Sequence, residues 1–325
     1  MTRPLFLASL LACAVPRPAM ADDFPAQCAA LAGKSDDFAL KGAESPWLFL
    51  TAELAHLGKD EFWKSPVPAA NSMLSFQKQL AEKGVQILVV PVPAKAAIYP
   101  EKLMAGTSDV RPLAPFLAQL TEAGLKTVDL DAAFRTAKPQ SKDPLYCATD
   151  AHWSPAGIAM AADAITSAIK SDPALAPLLK GKGPADTTGQ LKIKGDLTAA
   201  ASLKTTPAES LPVTWPLGTA GKGSKADPAA PILLLGDSHT MVFTDGEDLG
   251  MHCEGAGLRE HLEARLGANL AQISNQNSGG DGARRLLRQR ELSNPDYWKD
   301  RKLVIWVFSE REFTAGKWRG PPALR

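Results

Sequence analysis

The sequence predicts a parallel α/β fold built around one sheet. Three observations carry that reading. Apolar runs of strand length recur at 86–90, 231–235 and 303–308. Helix-period segments lie between them. A turn starting with Gly, Gly236-Asp237-Ser238-His239, follows the second run directly. Strands that are apolar throughout belong to a sheet covered by helices on both faces. Ligands in such sheets sit at the carboxyl ends of the strands, which is where Ser238 falls.

The elements follow in chain order. Residues 1–21 read as a secretory signal peptide: Arg3, an apolar run from Leu5 to Val15, and the cleavage site Ala19-Met20-Ala21. The run is too short to span a bilayer. A rival reading is lipidation at Cys13, because Leu10-Leu11-Ala12-Cys13 loosely matches a lipoprotein box. Residues 22–325 read as one domain. Residues 46–51 read as a strand, and 68–83 as a helix ending at Gly84. The strand Gln86–Val90 comes next, then a loop punctuated by Pro91, Pro93 and Pro100. A helix at 112–123 and a strand at 126–130 complete this half. Ser154 is a good N-cap and Pro155 suits a first helical position. The helix they open carries Ile158, Ala162, Ile165 and Ile169 on one face, which suits packing on a sheet. Residues 171–229 are rich in Pro, Gly, Lys, Thr and Ala and read as a loop-rich insertion, with a turn-then-helix look only at Gly195-Asp196-Leu197. Strands at 231–235, 270–274 and 303–308 and a helix at 256–267 close the chain.

Bulk properties narrow the function. The chain has 325 residues, 45% of them hydrophobic, enough for a sizeable core. Its 36 basic residues balance 35 acidic ones without a basic stripe, which argues against nucleic acid as a partner. After cleavage Cys28, Cys147 and Cys253 remain. In an exported protein they predict one disulfide and one thiol, with the pairing open. No Cys-x-x-Cys is present, so a structural zinc site is not expected.

Two strings carry chemistry: Asp150-Ala151-His152-Trp153, just ahead of a helix start, and Gly236-Asp237-Ser238. Serine needs a base to take its proton, histidine titrates near neutrality, and a carboxylate on the far ring nitrogen fixes the tautomer. Asp150 and His152 are two apart, so in an extended segment both side chains share one side. The expected relay is Ser238 as nucleophile, His152 as base and Asp150 as orienter. Asp237 is expected to hydrogen-bond the amides of its own turn. Oxyanion or substrate contacts are expected from the Ser238 amide and from the turn after 270–274, through Asn277 and Gly280. Arg284, beside Arg285, could meet an anionic substrate, and His239 could line the pocket. His252 and His261 have no motif context and read as ordinary surface or helix residues. The same strings match two of the motifs of calcineurin-type metallophosphoesterases, but the Gly-Asn-His string of that family is absent.

Further stretches extend the likeness. Trp47-Leu48-Phe49-Leu50, Val90-Pro91-Val92-Pro93-Ala94-Lys95 with Tyr99-Pro100, Tyr146 followed by Asp150-Ala151-His152-Trp153-Ser154, Gly236-Asp237-Ser238, and Trp306-Val307-Phe308 with Glu310-Arg311 occur in order. Across residues 44–312 they resemble the periplasmic alginate O-acetyltransferase group, the AlgJ/AlgX-like proteins. The resemblance implies an SGNH-hydrolase-like parallel sheet flanked by helices, with permuted motif order because the Asp–His unit precedes the Ser. It implies acetyl transfer to sugar hydroxyls of an exported polysaccharide through an acetyl-serine. It further implies a membrane-bound acyltransferase and an export complex as partners, and no cofactor beyond an acetyl donor. Departures from the pattern are His239 after the nucleophile and the unmatched stretch 171–229. An esterase removing acetyl groups and a non-catalytic carbohydrate-binding scaffold are the alternatives.

Overall fold

The computed structural model describes residues 24–59, 68–107, 113–181, 183, 186–200, 208–218, 220–276, 279–318 and 323–324. The signal peptide expected at 1–21 lies outside them. Among the described residues ten strands occur in chain order: β1 (Ala39–Lys41), β2 (Leu48–Leu50), β3 (Gln86–Val92), β4 (Thr187–Ile193), β5 (Glu209–Trp215), β6 (Ile232–Gly236), β7 (Asp245–Gly246), β8 (Met251–Glu254), β9 (Ala271–Ser274) and β10 (Leu303–Ser309). The central sheet has the order β3-β10-β6-β9, and every pair in it is parallel. The last strand of the chain thus inserts between two earlier ones. This leaves β6, which leads into Ser238, as an inner strand.

Strand alternation divides the core into two layers. Leu88, Val90, Ile232, Leu234, Ile305 and Val307 face one side. Val89, Leu233, Leu235, Val304, Trp306 and Phe308 face the other. The first layer is covered by the helices Pro155–Ser171 and Leu258–Leu266, the second by Pro68–Ala81, Ala114–Glu122 and Gly279–Leu292. Ile158, Ala162, Ile165 and Ile169 are all fully buried, as their spacing predicts. Each of the three isoleucines removed from water stabilises the fold by roughly 1.5–3 kcal/mol.

Three expectations need correction. Residues 126–130 form only an isolated parallel bridge, Val89 with Thr127, instead of a strand. Asp129 caps the helix Leu130–Ala137 by accepting from the Ala132 amide, so the extended stretch ends there. Residues 171–229 are more than loop: β4 and β5 pair antiparallel over seven residues each, with alternating burial. No disulfide joins Cys28, Cys147 and Cys253; Cys28 and Cys147 are buried and Cys253 is half-buried. Among the described residues no helix is long and apolar enough to cross a membrane.

Candidate active site

The nucleophile turn forms where β6 ends. Asp237 caps the short 3-10 turn Ser238–Thr240, its Oδ1 accepting from the His239 amide at 2.9 Å. Its Oδ2 accepts from the Ser309 amide at 2.9 Å, fastening the turn to the end of β10. Gly236 is required by close approach: a Cβ there would meet Thr240 Cγ2 at 2.5 Å and the Val307 carbonyl at 2.6 Å. Ser238 is thereby fixed at the carboxyl edge of the sheet, 7% exposed.

The second segment crosses this edge from outside the sheet. It is a bend, and the shared side of Asp150 and His152 comes from an Asx-type turn in which Asp150 Oδ1 accepts from the His152 amide at 2.9 Å. Its main chain is held by side chains distant in sequence. The fully buried Lys95 ammonium donates to the carbonyls of Leu48 (2.7 Å), Ala148 (2.9 Å) and Asp150 (3.0 Å). Glu209 on β5 accepts from the amides of Ala148 and Thr149. Asp196 Oδ1 accepts from the Ala151 amide at 2.8 Å. Trp153 Nε1 donates to the His239 carbonyl at 3.1 Å and so ties this segment to the nucleophile turn. Ser154 caps the following helix through the Gly157 amide.

These anchors bring the three predicted side chains into line. His152 Nε2 lies 2.8 Å from Ser238 Oγ, and His152 Nδ1 lies 2.6 Å from Asp150 Oδ1. Asp150 is 1% and His152 8% exposed. Burial opposes ionisation of Asp150, yet the His152 and His252 imidazoles outweigh it and hold the carboxyl well below the usual range. Burial likewise disfavours a charged His152, but Asp150 first, then Asp196 and Asp237, raise its pKa above 6.5. An ionised Asp150 only accepts, so Nδ1 carries the imidazole proton and Nε2 is left free to take the serine proton.

The other predicted contacts fare differently. His239 is buried, its Nδ1 3.0 Å from Asp237 Oδ1, and its ring meets His152 edge-on at 4.9 Å. Burial, helped by His152 and Arg311, lowers its pKa despite Asp237. Arg284 is not at the site. It is fully buried in the opposite core layer, bonded to Ser72 and Asp281 and stacked near Trp306 at 5.2 Å. Arg285 is the solvent-facing member of the pair, 59% exposed. Gly280 lies in the first turn of the helix Gly279–Leu292, and Asn277 falls outside the described residues.

Four contributors carry no signal of their role in the sequence: Lys95, Asp196, Glu209 and His252. Lys95, Asp196 and Glu209 sit in stretches whose local pattern does not identify their partners. His252, read as ordinary, places Nε2 3.0 Å from Asp150 Oδ2. Asp150, His152 and Asp196 also bring ligand-type atoms within 4.8 Å of one another. Both ring nitrogens of His152 are already engaged, however, by Asp150 and Ser238.

Comparison with known proteins identifies the family and the fold. Residues 41–310 match the family described as SGNH hydrolase-like domain, acetyltransferase AlgX, and the chain belongs to that family. It is 29% identical over 255 residues to the probable alginate O-acetylase AlgJ of Pseudomonas putida, covering 71% of this chain and 60% of that protein. It is 27% identical over 304 residues to the protein of the same description from Azotobacter vinelandii, covering 85% and 72%. The chain thus spans about 60% of the length of the first of these relatives. Among solved structures, the O-acetyltransferase domain of Pseudomonas putida AlgJ superposes with a TM-score of 0.60 at 23% identity, covering 85% of this chain and 92% of that one. Pseudomonas aeruginosa AlgX gives 0.54 at 20%, covering 83% and 61%. These likenesses carry the fold.

Proposed function

We propose that this family member is an O-acetyltransferase that places acetyl groups on hydroxyls of an exported, alginate-like polysaccharide. The observation that carries the proposal is the unbroken line Ser238 Oγ, His152 Nε2, His152 Nδ1, Asp150 Oδ1, with contacts of 2.8 and 2.6 Å. Ser238 Oγ attacks the acetyl carbonyl of the donor as its proton passes to His152 Nε2. The imidazolium, stabilised by Asp150, returns that proton to the departing donor group. An acetyl-serine remains. A sugar hydroxyl then gives its proton to His152 Nε2 as its oxygen attacks the acetyl carbonyl, and His152 returns that proton to the departing Ser238 Oγ, leaving the acetylated sugar and the free serine. The Ser238 amide, at the start of the turn, is the proposed donor to the developing oxyanion. No metal or organic cofactor has a role in this cycle; only an acetyl donor is consumed.

The setting is proposed as the periplasm, with residues 1–21 removed on export and 22–325 acting as one domain. The donor would be handled by a membrane-bound acyltransferase within the polymer's export complex. The names of the relatives and the leader-like opening of the chain support this reading. Its test is polymer acetyl content in cells carrying Ser238→Ala. Loss of acetylation is expected. Unchanged acetylation overturns the proposal, and a rise points to an esterase built on the same relay.

A further inference from the structure

We propose that His252 is a positioning residue of the relay, a second imidazole that donates from Nε2 to the other oxygen of Asp150 and sets how strongly that carboxylate holds His152. The inference rests on the proposed acyl-transfer role of the site.

The geometry is specific. Asp150 Oδ1 serves His152, while Oδ2 receives the Asp196 amide at 2.9 Å and His252 Nε2 at 3.0 Å. An ionised carboxylate accepts only, so His252 carries a proton on Nε2. Its side chain is 8% exposed, which makes the contact a buried, charge-assisted one. The backbone is bent to achieve it. His252 stands at φ 68°, and Phe243, whose ring lies 5.2 Å from the imidazole, at φ 60°. These are the two non-glycine residues in left-handed conformations among the described residues. Such conformations cost about 1–3 kcal/mol each and persist where the surroundings enforce them. Here the two strained residues meet in a tilted ring contact, with one imidazole directed at Asp150.

The consequence is a division of charge. Negative charge drawn toward Oδ2 by His252 and the Asp196 amide is charge not concentrated on Oδ1. Without the His252 donor, Oδ1 attracts the His152 imidazolium more strongly. The His152 pKa then rises, and a larger share of the base is already protonated at neutral pH. Several charged groups share this neighbourhood: Asp196 and Asp237 act on His152, and Glu209 holds the Ala148 and Thr149 amides. Lys192, Lys194 and Glu247 line a cavity of about 330 Å³ with His252 and Asp196. None of them is altered by substitution at 252.

The test is the pH profile of kcat/KM for hydrolysis of a chromogenic acetyl ester by the purified protein, comparing wild type with His252→Phe and His252→Gln. His252→Phe keeps a ring against Phe243 and removes the donor. We expect it to lose about tenfold in kcat/KM at neutral pH, the scale of one charge-assisted hydrogen bond, and to shift the acid limb to higher pH. His252→Gln retains an N–H donor and is expected to recover most of both effects. Wild-type rate and profile in His252→Phe, or equal failure of both variants with native melting curves, would overturn the proposal. If the Phe variant does not fold, nitrogen NMR of histidine-labelled wild type decides: a proton on His252 Nε2 at neutral pH is required, and its absence rejects the inference. Ser238→Ala in the same assay separates the two readings. Full activity there sinks the acyl-transfer role, whereas the NMR result bears on His252 alone.

Discussion

Asp150-Ala151-His152 and Asp237-Ser238-His239 are the same local device put to opposite ends. In each, Oδ1 of the aspartate accepts from the amide two residues on at 2.9 Å. In each, that oxygen also lies against the Nδ1 of the same histidine, at 2.6 and 3.0 Å respectively. The two rings even touch, edge to face. Yet His152 is held more basic than an ordinary histidine and His239 less. Local sequence therefore sets ring orientation, and tertiary neighbours set charge. His152 collects the influence of Asp196 and Asp237 beyond its own aspartate, whereas His239 faces His152 and Arg311. The remaining oxygens diverge as well. Oδ2 of Asp150 meets Asp196 and His252; Oδ2 of Asp237 is spent on the Ser309 amide, a structural tie.

Breaking the two pairs in turn gives the largest contrast. Asp150→Asn should lower kcat of the acetyl-ester reaction by about 10⁴-fold, because the imidazole tautomer is lost. Asp237→Asn should instead lower stability, by about 1–3 kcal/mol in denaturant unfolding, as a buried carboxylate is replaced at a two-amide cap. At the histidines, His152→Ala should cost about 10³-fold or more in kcat. His239→Ala should cost less than about fivefold, within the effect of repacking a ring that makes no bond to Ser238. Equal losses at both histidines would erase the distinction.

Lys95 tests how the first pair is held in place. Lys95→Met removes three donors and leaves the Leu48, Ala148 and Asp150 carbonyls unserved. A loss of about 3–5 kcal/mol is expected, visible as a lowered melting temperature. Burial draws the Lys95 pKa down to about 8, so the folded ammonium is half deprotonated near that pH. Its folded pKa is below the unfolded value of 10.5, so wild-type stability should rise as pH climbs from about 8 toward 10.5 through this group. Lys95→Met should lack that component.

The histidines predict a smaller, opposite pair of effects. His239 has a folded pKa below 6.5, so acidification must charge a buried ring, and its contribution to stability is lost as pH falls below 6.5. His152 has a folded pKa above 6.5. Its contribution is complete below 6.5 and is lost as pH rises through the folded value. Melting temperature against pH should therefore flatten on the acid side in His239→Gln and on the neutral side in His152→Gln. The smallest effect expected is from a chelator: dialysis against EDTA should leave the ester assay unchanged.

Much of this was legible because it is local. A strand apolar on both faces, a Gly-Asp-Ser turn, and Ser154-Pro155 opening a helix each declare themselves within a few residues. The convergence of Ser238 and His152, 86 residues apart, followed once both motifs were placed at element ends. What escaped was set by distant partners. Arg284 follows a Gly-rich turn in sequence, but the Gly279–Leu292 helix buries it beside Phe76 and Trp306. His252 reaches Asp150 from a left-handed backbone with the tilted Phe243 ring beside it, a placement no local pattern announces. The β4–β5 hairpin alternates in burial, but Gly189 and Pro212 dilute its strand signal. The cysteine arithmetic failed because compartment predicts pairing only when the fold brings the sulfurs together.

The most direct measurement is peptide mapping of the protein quenched during turnover of an acetyl ester. The account predicts one acetyl group, on the peptide holding Ser238, absent in Ser238→Ala and much reduced in His152→Ala while His239→Ala still acquires it. Acetyl on another residue, or equal labelling of Ser238→Ala, would contradict it.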